Sequence, residues 1–188
     1  MILWHVLSIL YIQTSWCGIQ VLFSRSPGPL SIRASSCGTG FHAAQQTNNK
    51  TLLQSIVPHA PYSVSSSLFR FIDKHRDGGV VVSVHNQESE EEDKFYISKE
   101  GGVRDLLHSL GIDDGLFTAS GKSSILTYLQ WLPGNKQYLF VHNTYTTASE
   151  IATAQQYCAS AYWCLCPNAN IYIENRLPDI AMLMAANA

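Results

Sequence analysis

The chain has 188 residues, a formal charge of −2, 46% hydrophobic residues and 14% charged ones. That apolar content excludes a mostly disordered chain, the near-neutral charge argues against a nucleic-acid binder, and the length suits one domain able to bury a core. The charge is unevenly placed, because all 14 acidic residues lie from Asp73 onward.

Residues 1–23 carry no Lys, Arg, Asp or Glu, and the first basic residue is Arg25. A secretory signal opens with a basic region, and a membrane span needs roughly 20 predominantly apolar residues. Here His5, Ser8, Gln13, Thr14, Ser15 and Gln20 interrupt the run. Two readings stay open: a signal or anchor, or a buried strand or helix with Ile19–Phe23 as one barrel strand. Residues 24–50 are rich in Ser, Gly and Gln without clear periodicity, which fits a loop, a linker or a mistranslated piece of gene. Residues 1–50 are therefore left as an unassigned segment ahead of a domain over 51–188. Five cysteines (Cys17, Cys37, Cys158, Cys164, Cys166) are not spaced as a zinc ribbon. The Cys164–Cys166 pair is read as ordinary thiols of a reducing cytoplasm rather than as metal ligands.

From residue 51 the pattern becomes regular. Ser55–Pro58 reads as a strand leading into HAPYSVS. Ser65 can cap a helix with Leu68, Phe69 and Ile72 on one face, stopped by Gly78-Gly79. Val80–Val84 is the β-branched run expected of a strand buried on both faces in a parallel sheet. The acidic run Glu90–Asp93 suits a solvated helix start. Helices are predicted over Val103–Leu110 and Ser123–Leu132, a strand over Tyr138–Val141, and a capping box Thr147–Glu150 before a helix over Ile151–Ala159. A strand over Trp163–Cys166 and a helix over Pro178–Ala186 complete the series. Strands alternating with helices indicate βα units around a parallel sheet.

Active sites of parallel α/β barrels form at the C-terminal ends of the strands. Four successive predicted strands end in His59, His85, His142 and the Pro167–Asn170 segment. Neutral imidazole is the commonest metal ligand, and catalytic zinc keeps one position open to water. Glu88, three residues beyond His85, is placed to move protons as general acid and base; its alternative is to open a solvated acidic run.

The order HAPYSVS (59–65), HNQE (85–88), VHNTY (141–145) and CPNAN (166–170), with Pro178 beyond, resembles the amidohydrolase superfamily. The similar branch is that of metal-dependent aminohydrolases, which deaminate purines, cytosine and related heterocycles or dechlorinate triazines. The resemblance spans roughly residues 51–188. It implies an α/β fold, a (β/α)8 TIM-type barrel with parallel strands, here only partial and too short to close. It implies one divalent metal, zinc or iron, and hydrolytic deamination of an aminated purine-like heterocycle or nucleoside by a metal-bound hydroxide. His85 matches the metal-ligand histidine, Glu88 the proton-shuttling glutamate, and His142 the histidine that orients the attacking water. His59, Tyr62 and Ser63 match the substrate-facing turn. Asn168 and Asn170 stand where the family usually shows CPxSN, with Ala169 in place of Ser.

The departures matter equally. The family's first strand carries an H-x-H pair, and this sequence has no H-x-H; a last-strand Asp in a G-T-D-S motif is also missing. Of four expected ligands His85 is the one that matches securely, so a fragment with weak metal retention and impaired activity is expected. The alternative is a non-catalytic, truncated barrel acting as a binding or dimerising module, since unclosed strands expose edges and apolar surface. The expected setting is cytoplasmic, with no nucleic-acid or membrane partner.

Overall fold

The computed structural model describes residues 19–24, 32–33, 53–74 and 82–188. Cys17, Cys37, most of residues 1–50 and the Gly78-Gly79 stop lie outside the described residues. Within them, the strands are β1 (Ile19–Ser24), β2 (Ile32–Arg33), β3 (Leu53–Pro58), β4 (Val82–Asn86), β5 (Gln137–His142) and β6 (Ser160–Cys164). The helices are α1 (Ser66–Lys74), α2 (Glu90–Ser98), α3 (Gly102–Ser109), α4 (Ser124–Tyr128), α5 (Ala148–Tyr157), α6 (Pro167–Glu174) and α7 (Ile180–Ala185). Single 3-10 turns lie at Pro61–Ser63 and Leu129–Trp131.

Strands β4, β5 and β6 form an open parallel sheet in that order. It is the partial, unclosed βα architecture expected from the sequence. The register pairs Asn86 with His142 and Val141 with Cys164, so the three strand ends lie level. Strand β4 is buried along almost its whole length, as a strand covered on both faces must be. Tyr138 and Phe140 of β5 are fully buried, and Phe140 packs on Trp163 of β6 with ring centroids 4.9 Å apart. Val57, Phe69, Ile72, Ile125, Tyr128 and Leu132 close the core around these strands. A smaller aromatic cluster joins Phe95, Tyr96, Val103 and Leu107, with Phe117 stacked on Phe95 at 4.4 Å.

Residues 19–23 are indeed a strand, but β1 pairs antiparallel with both β2 and β3. Parallel barrel strands need a crossover connection between them, so this antiparallel pairing departs from the βα pattern seen in β4–β6. Strand β3 lies beside β4, and the two are joined where the His85 N–H donates to the His59 carbonyl at 2.9 Å.

Local chemistry explains several of the helix starts. Ser65 Oγ accepts from the Leu68 N–H at 3.2 Å, capping α1. Thr147 and Glu150 complete their reciprocal capping box at the start of α5. Gly111 follows α3 with φ +69, a conformation that favours glycine. The Pro167–Asn170 segment opens a helix: Pro167 occupies the first helical position, where its missing N–H costs nothing, and α6 runs on to Glu174. Among the described residues, no helix is long and apolar enough to cross a membrane.

Candidate active site

The left-handed turns that follow β4 and β5 shape the site. Gln87 (φ 44), His142 (φ 81) and Asn143 (φ 60) all have positive φ, uncommon for residues other than glycine. Asparagine tolerates that region best. Two identical dipeptides, His85-Asn86 and His142-Asn143, thus stand side by side at the ends of adjacent strands. The Asn143 N–H donates to the Asn86 carbonyl at 3.0 Å, and Asn86 Nδ2 donates to Asn143 Oδ1 at 3.1 Å. Asn143 Nδ2 in turn donates to the carbonyls of Phe140 and Cys164, tying the turn to β6.

These turns bring three histidine rings into a row. The His59 and His85 centroids are 4.4 Å apart, and those of His85 and His142 are 4.9 Å apart. His142 Nε2 lies 3.0 Å from His85 Nδ1 and 3.3 Å from Glu88 Oε1. One nitrogen therefore faces two lone-pair-bearing atoms and can carry a single proton between them. The donor atoms of His85, Glu88 and His142 all lie within 4.8 Å of one another. Two nitrogens bound to one tetrahedral zinc, each about 2.0–2.1 Å from it, stand about 3.3 Å apart. The two spacings from His142 are close to that and the whole set lies within 4.8 Å, so the donors fit a divalent cation.

The remaining predicted residues are distributed differently. Tyr62 is half-buried beside the aromatic cluster, and burial, with Glu92 and Glu88 nearby, holds its hydroxyl well above the ordinary range. The Ser63 hydroxyl donates to the Ala60 carbonyl at 2.7 Å and so serves the 3-10 turn. Asn168 is exposed on α6. Asn170 is fully buried, with Nδ2 donating to Thr144 Oγ1 and, at 3.5 Å, to the His142 carbonyl; its Oδ1 has no partner. The segment after β6 therefore reaches the site through the backbone of His142.

The acidic run is solvated at Glu90 and Glu91 but turns inward at Glu92 and Asp93. Glu92 is only 1% exposed. Its Oε1 accepts from the Gln87 N–H at 3.1 Å and from the Ser124 hydroxyl. Burial dominates its titration and, with Asp93 and Glu88 adding, pushes the carboxyl up to about 8 against those hydrogen bonds. Asp93, also raised mainly by burial, accepts from the Ser124 N–H at 2.7 Å and from Gln87 Nε2 at 2.9 Å. A run of four acids looks solvated in sequence, yet it spans a full turn, so one part of it must face inward once the helix packs. Of the thiols, Cys158 is buried and pushed up to about 11, whereas Cys164 and Cys166 are half-buried; all three are free.

No protein-family model matches the chain, and no curated protein sequence does. Solved structures do match. The chain is similar to aminofutalosine deaminase of Helicobacter pylori, with a TM-score of 0.63 and 20% identity over 78% of this chain and 36% of that one. The same enzyme in complex with methylthio-coformycin matches with a TM-score of 0.60 and 19% identity. A zinc-bound adenosine deaminase from Xanthomonas campestris matches with a TM-score of 0.57 and 19% identity, covering 79% of this chain and 29% of that one. The chain thus spans about a third of the length of these structures. Over nearly four fifths of its residues the chain shares the fold of part of these deaminase structures.

Proposed function

We propose that the chain carries a portion of a metal-dependent aminohydrolase site, whose reaction is hydrolytic deamination of an aminated purine or similar heterocycle. The observation that carries this reading is the convergence of His85, Glu88 and His142 at the level ends of two parallel strands. The fold shared with adenosine and aminofutalosine deaminases supports the reaction class, and the methylthio-coformycin complex of one of them supports a nucleoside-like substrate.

His85 would hold a divalent ion, zinc or iron, with His142 beside it, and such an ion lowers the pKa of bound water to about 7. Glu88 performs the proton transfers. It protonates a ring nitrogen next to the carbon bearing the amino group, which makes that carbon electrophilic. Water adds to the carbon, and Glu88 passes a proton from it to the amino group. The C–N bond breaks, ammonia leaves, and the ring keeps the oxygen as a carbonyl, its hydroxyl proton returning to the Glu88 carboxylate. His142, 3.0 Å from His85 and 3.3 Å from Glu88, would orient the attacking water between them. His59, Tyr62, Ser63, Asn168 and Asn170 belong to the substrate side of this reading, with Asn170 acting through Thr144 and the His142 backbone. Free thiols fit a reducing cytoplasm, and nothing in the charge balance calls for a nucleic-acid or membrane partner.

Two imidazoles, His85 and His142, make a weaker site than four protein donors, so slow, zinc-dependent turnover is expected. The test is ammonia release from aminated purine nucleosides by the full chain, with and without added zinc. Release that ignores both zinc and Glu88→Gln would overturn the reading. So would cobalt(II) binding left intact by His85→Ala.

A further inference from the structure

Gln87 stands between His85 and Glu88 and was invisible as a functional residue in the sequence. It is fully buried, and its backbone has φ +44. A non-glycine residue persists in that conformation only where its surroundings over-determine it. Here they do. Side-chain Nε2 donates to Asp93 Oδ2 at 2.9 Å and to Glu150 Oε1 at 3.1 Å. Side-chain Oε1 accepts from the Thr146 hydroxyl at 2.7 Å and from Asn86 Nδ2 at 3.4 Å. The backbone N–H donates to Glu92 Oε1 at 3.1 Å, and the carbonyl accepts from the Tyr145 N–H at 3.3 Å. An amide has two donor hydrogens and two acceptor lone pairs, and every one of them is used. The two carboxylates settle its orientation, since only the NH2 end can donate to them.

These partners come from the first turns of two helices, α2 (Asp93) and α5 (Glu150), and from the turn after β5 (Thr146). We propose that Gln87 is a positioning residue: its buried amide clamps the turn after β4 to both helices and so sets where the Glu88 carboxylate hangs relative to His85 and His142. Glu150 is then shared between two tasks, capping α5 with Oε2 and receiving Gln87 and the Ser123 hydroxyl on Oε1. Supporting partners behind ligands typically carry about 10–100-fold of metal affinity. This role rests on reading His85, Glu88 and His142 as the metal- and proton-handling groups.

The experiment is titration of the full chain with cobalt(II), following its visible absorption, for the wild type and three variants. Gln87→Leu removes the whole clamp. Thr146→Val removes the hydroxyl on Gln87 Oε1 and is the milder variant. Leu107→Ala, in the aromatic cluster, supplies destabilisation at a residue outside the His85, Glu88 and His142 group. Near-ultraviolet circular dichroism and the thermal midpoint report folding in each case. Gln87→Leu is expected to bind cobalt about 10–100-fold more weakly, with an altered visible band, while Leu107→Ala keeps both despite a lower midpoint. Folded Gln87→Leu binding within about twofold of wild type would overturn the role, as would an equal loss in Leu107→Ala. If Gln87→Leu does not fold, Thr146→Val decides: an unchanged affinity and band overturn the role. A wild-type chain that binds no cobalt would instead overturn the metal reading itself, and the clamp's purpose with it.

Discussion

His142 Nε2 lies 3.0 Å from His85 Nδ1, across 57 positions of sequence, because Asn86 and His142 are paired in register on adjacent parallel strands. The two rings owe their contact to the register and to the left-handed backbone at His142, and Glu88 completes the group at 3.3 Å. Replacing His85 with Ala should therefore cost more cobalt(II) affinity than losing a supporting partner, which typically costs about 10–100-fold. Replacing His142 should do the same. Titration followed by visible absorption measures both, and a His142→Ala chain that binds like the wild type would break the assumption of a shared ion.

Glu88 separates proton transfer from metal retention. Glu88→Gln keeps the shape of the side chain but cannot shuttle a proton. It should lower ammonia release by about 10²–10⁴-fold. Cobalt affinity should fall less than in His85→Ala. Equal losses of affinity in the two variants would make Glu88 a ligand in the first place.

The sequence carried the sheet well and the site in outline. Continuous β-branched character marked β4, and the Thr147–Glu150 spacing marked the start of α5; both are local signals that tertiary packing reinforces. The strand-end histidines were readable because their position follows from strand length alone. What was not readable is what depends on where helices pack. Glu92, Asp93 and Glu150 looked like solvated or capping acids, yet they converge on Gln87 and the Ser123–Ser124 turn from two helices. Asn86 and Asn143 stand in the sequence as parts of strand-end motifs, and the repeated His-Asn pair is the signal that marks them. The antiparallel β1–β3 pairing was hidden because periodicity identifies a strand without its direction.

Glu92 makes stability depend on pH in an unusual sense. Its carboxyl, near 4.5 in the unfolded chain, is pushed up to about 8 in the folded one. The stabilisation is thus complete below about pH 4.5, falls as pH rises toward about 8, and is flat beyond. The slope from this single group approaches roughly 1.4 kcal/mol per pH unit. Glu92→Gln can still accept from the Gln87 N–H and the Ser124 hydroxyl, and it has no charge to bury. Relative to wild type it should gain stability steadily between about pH 5 and 8, measured by urea unfolding at several pH values. A difference that is constant across that range would mean Glu92 stays ionised in the fold.

Tyr128 supports the site from below. Its hydroxyl donates to Asn86 Oδ1 at 2.8 Å, both groups are fully buried, and its ring stacks on Phe69 with centroids 6.0 Å apart. Tyr128→Phe preserves the stacking and the volume but leaves Asn86 Oδ1 without that donor. A buried acceptor stripped of its donor costs about 1–3 kcal/mol. The variant should unfold at lower urea with an unchanged m-value, because the surface exposed on unfolding is the same. Cobalt affinity should fall too if the Asn86–Asn143 pair holds the two histidines in place. Lost stability with intact affinity would mean that pair braces the sheet ends without setting the distance between the rings.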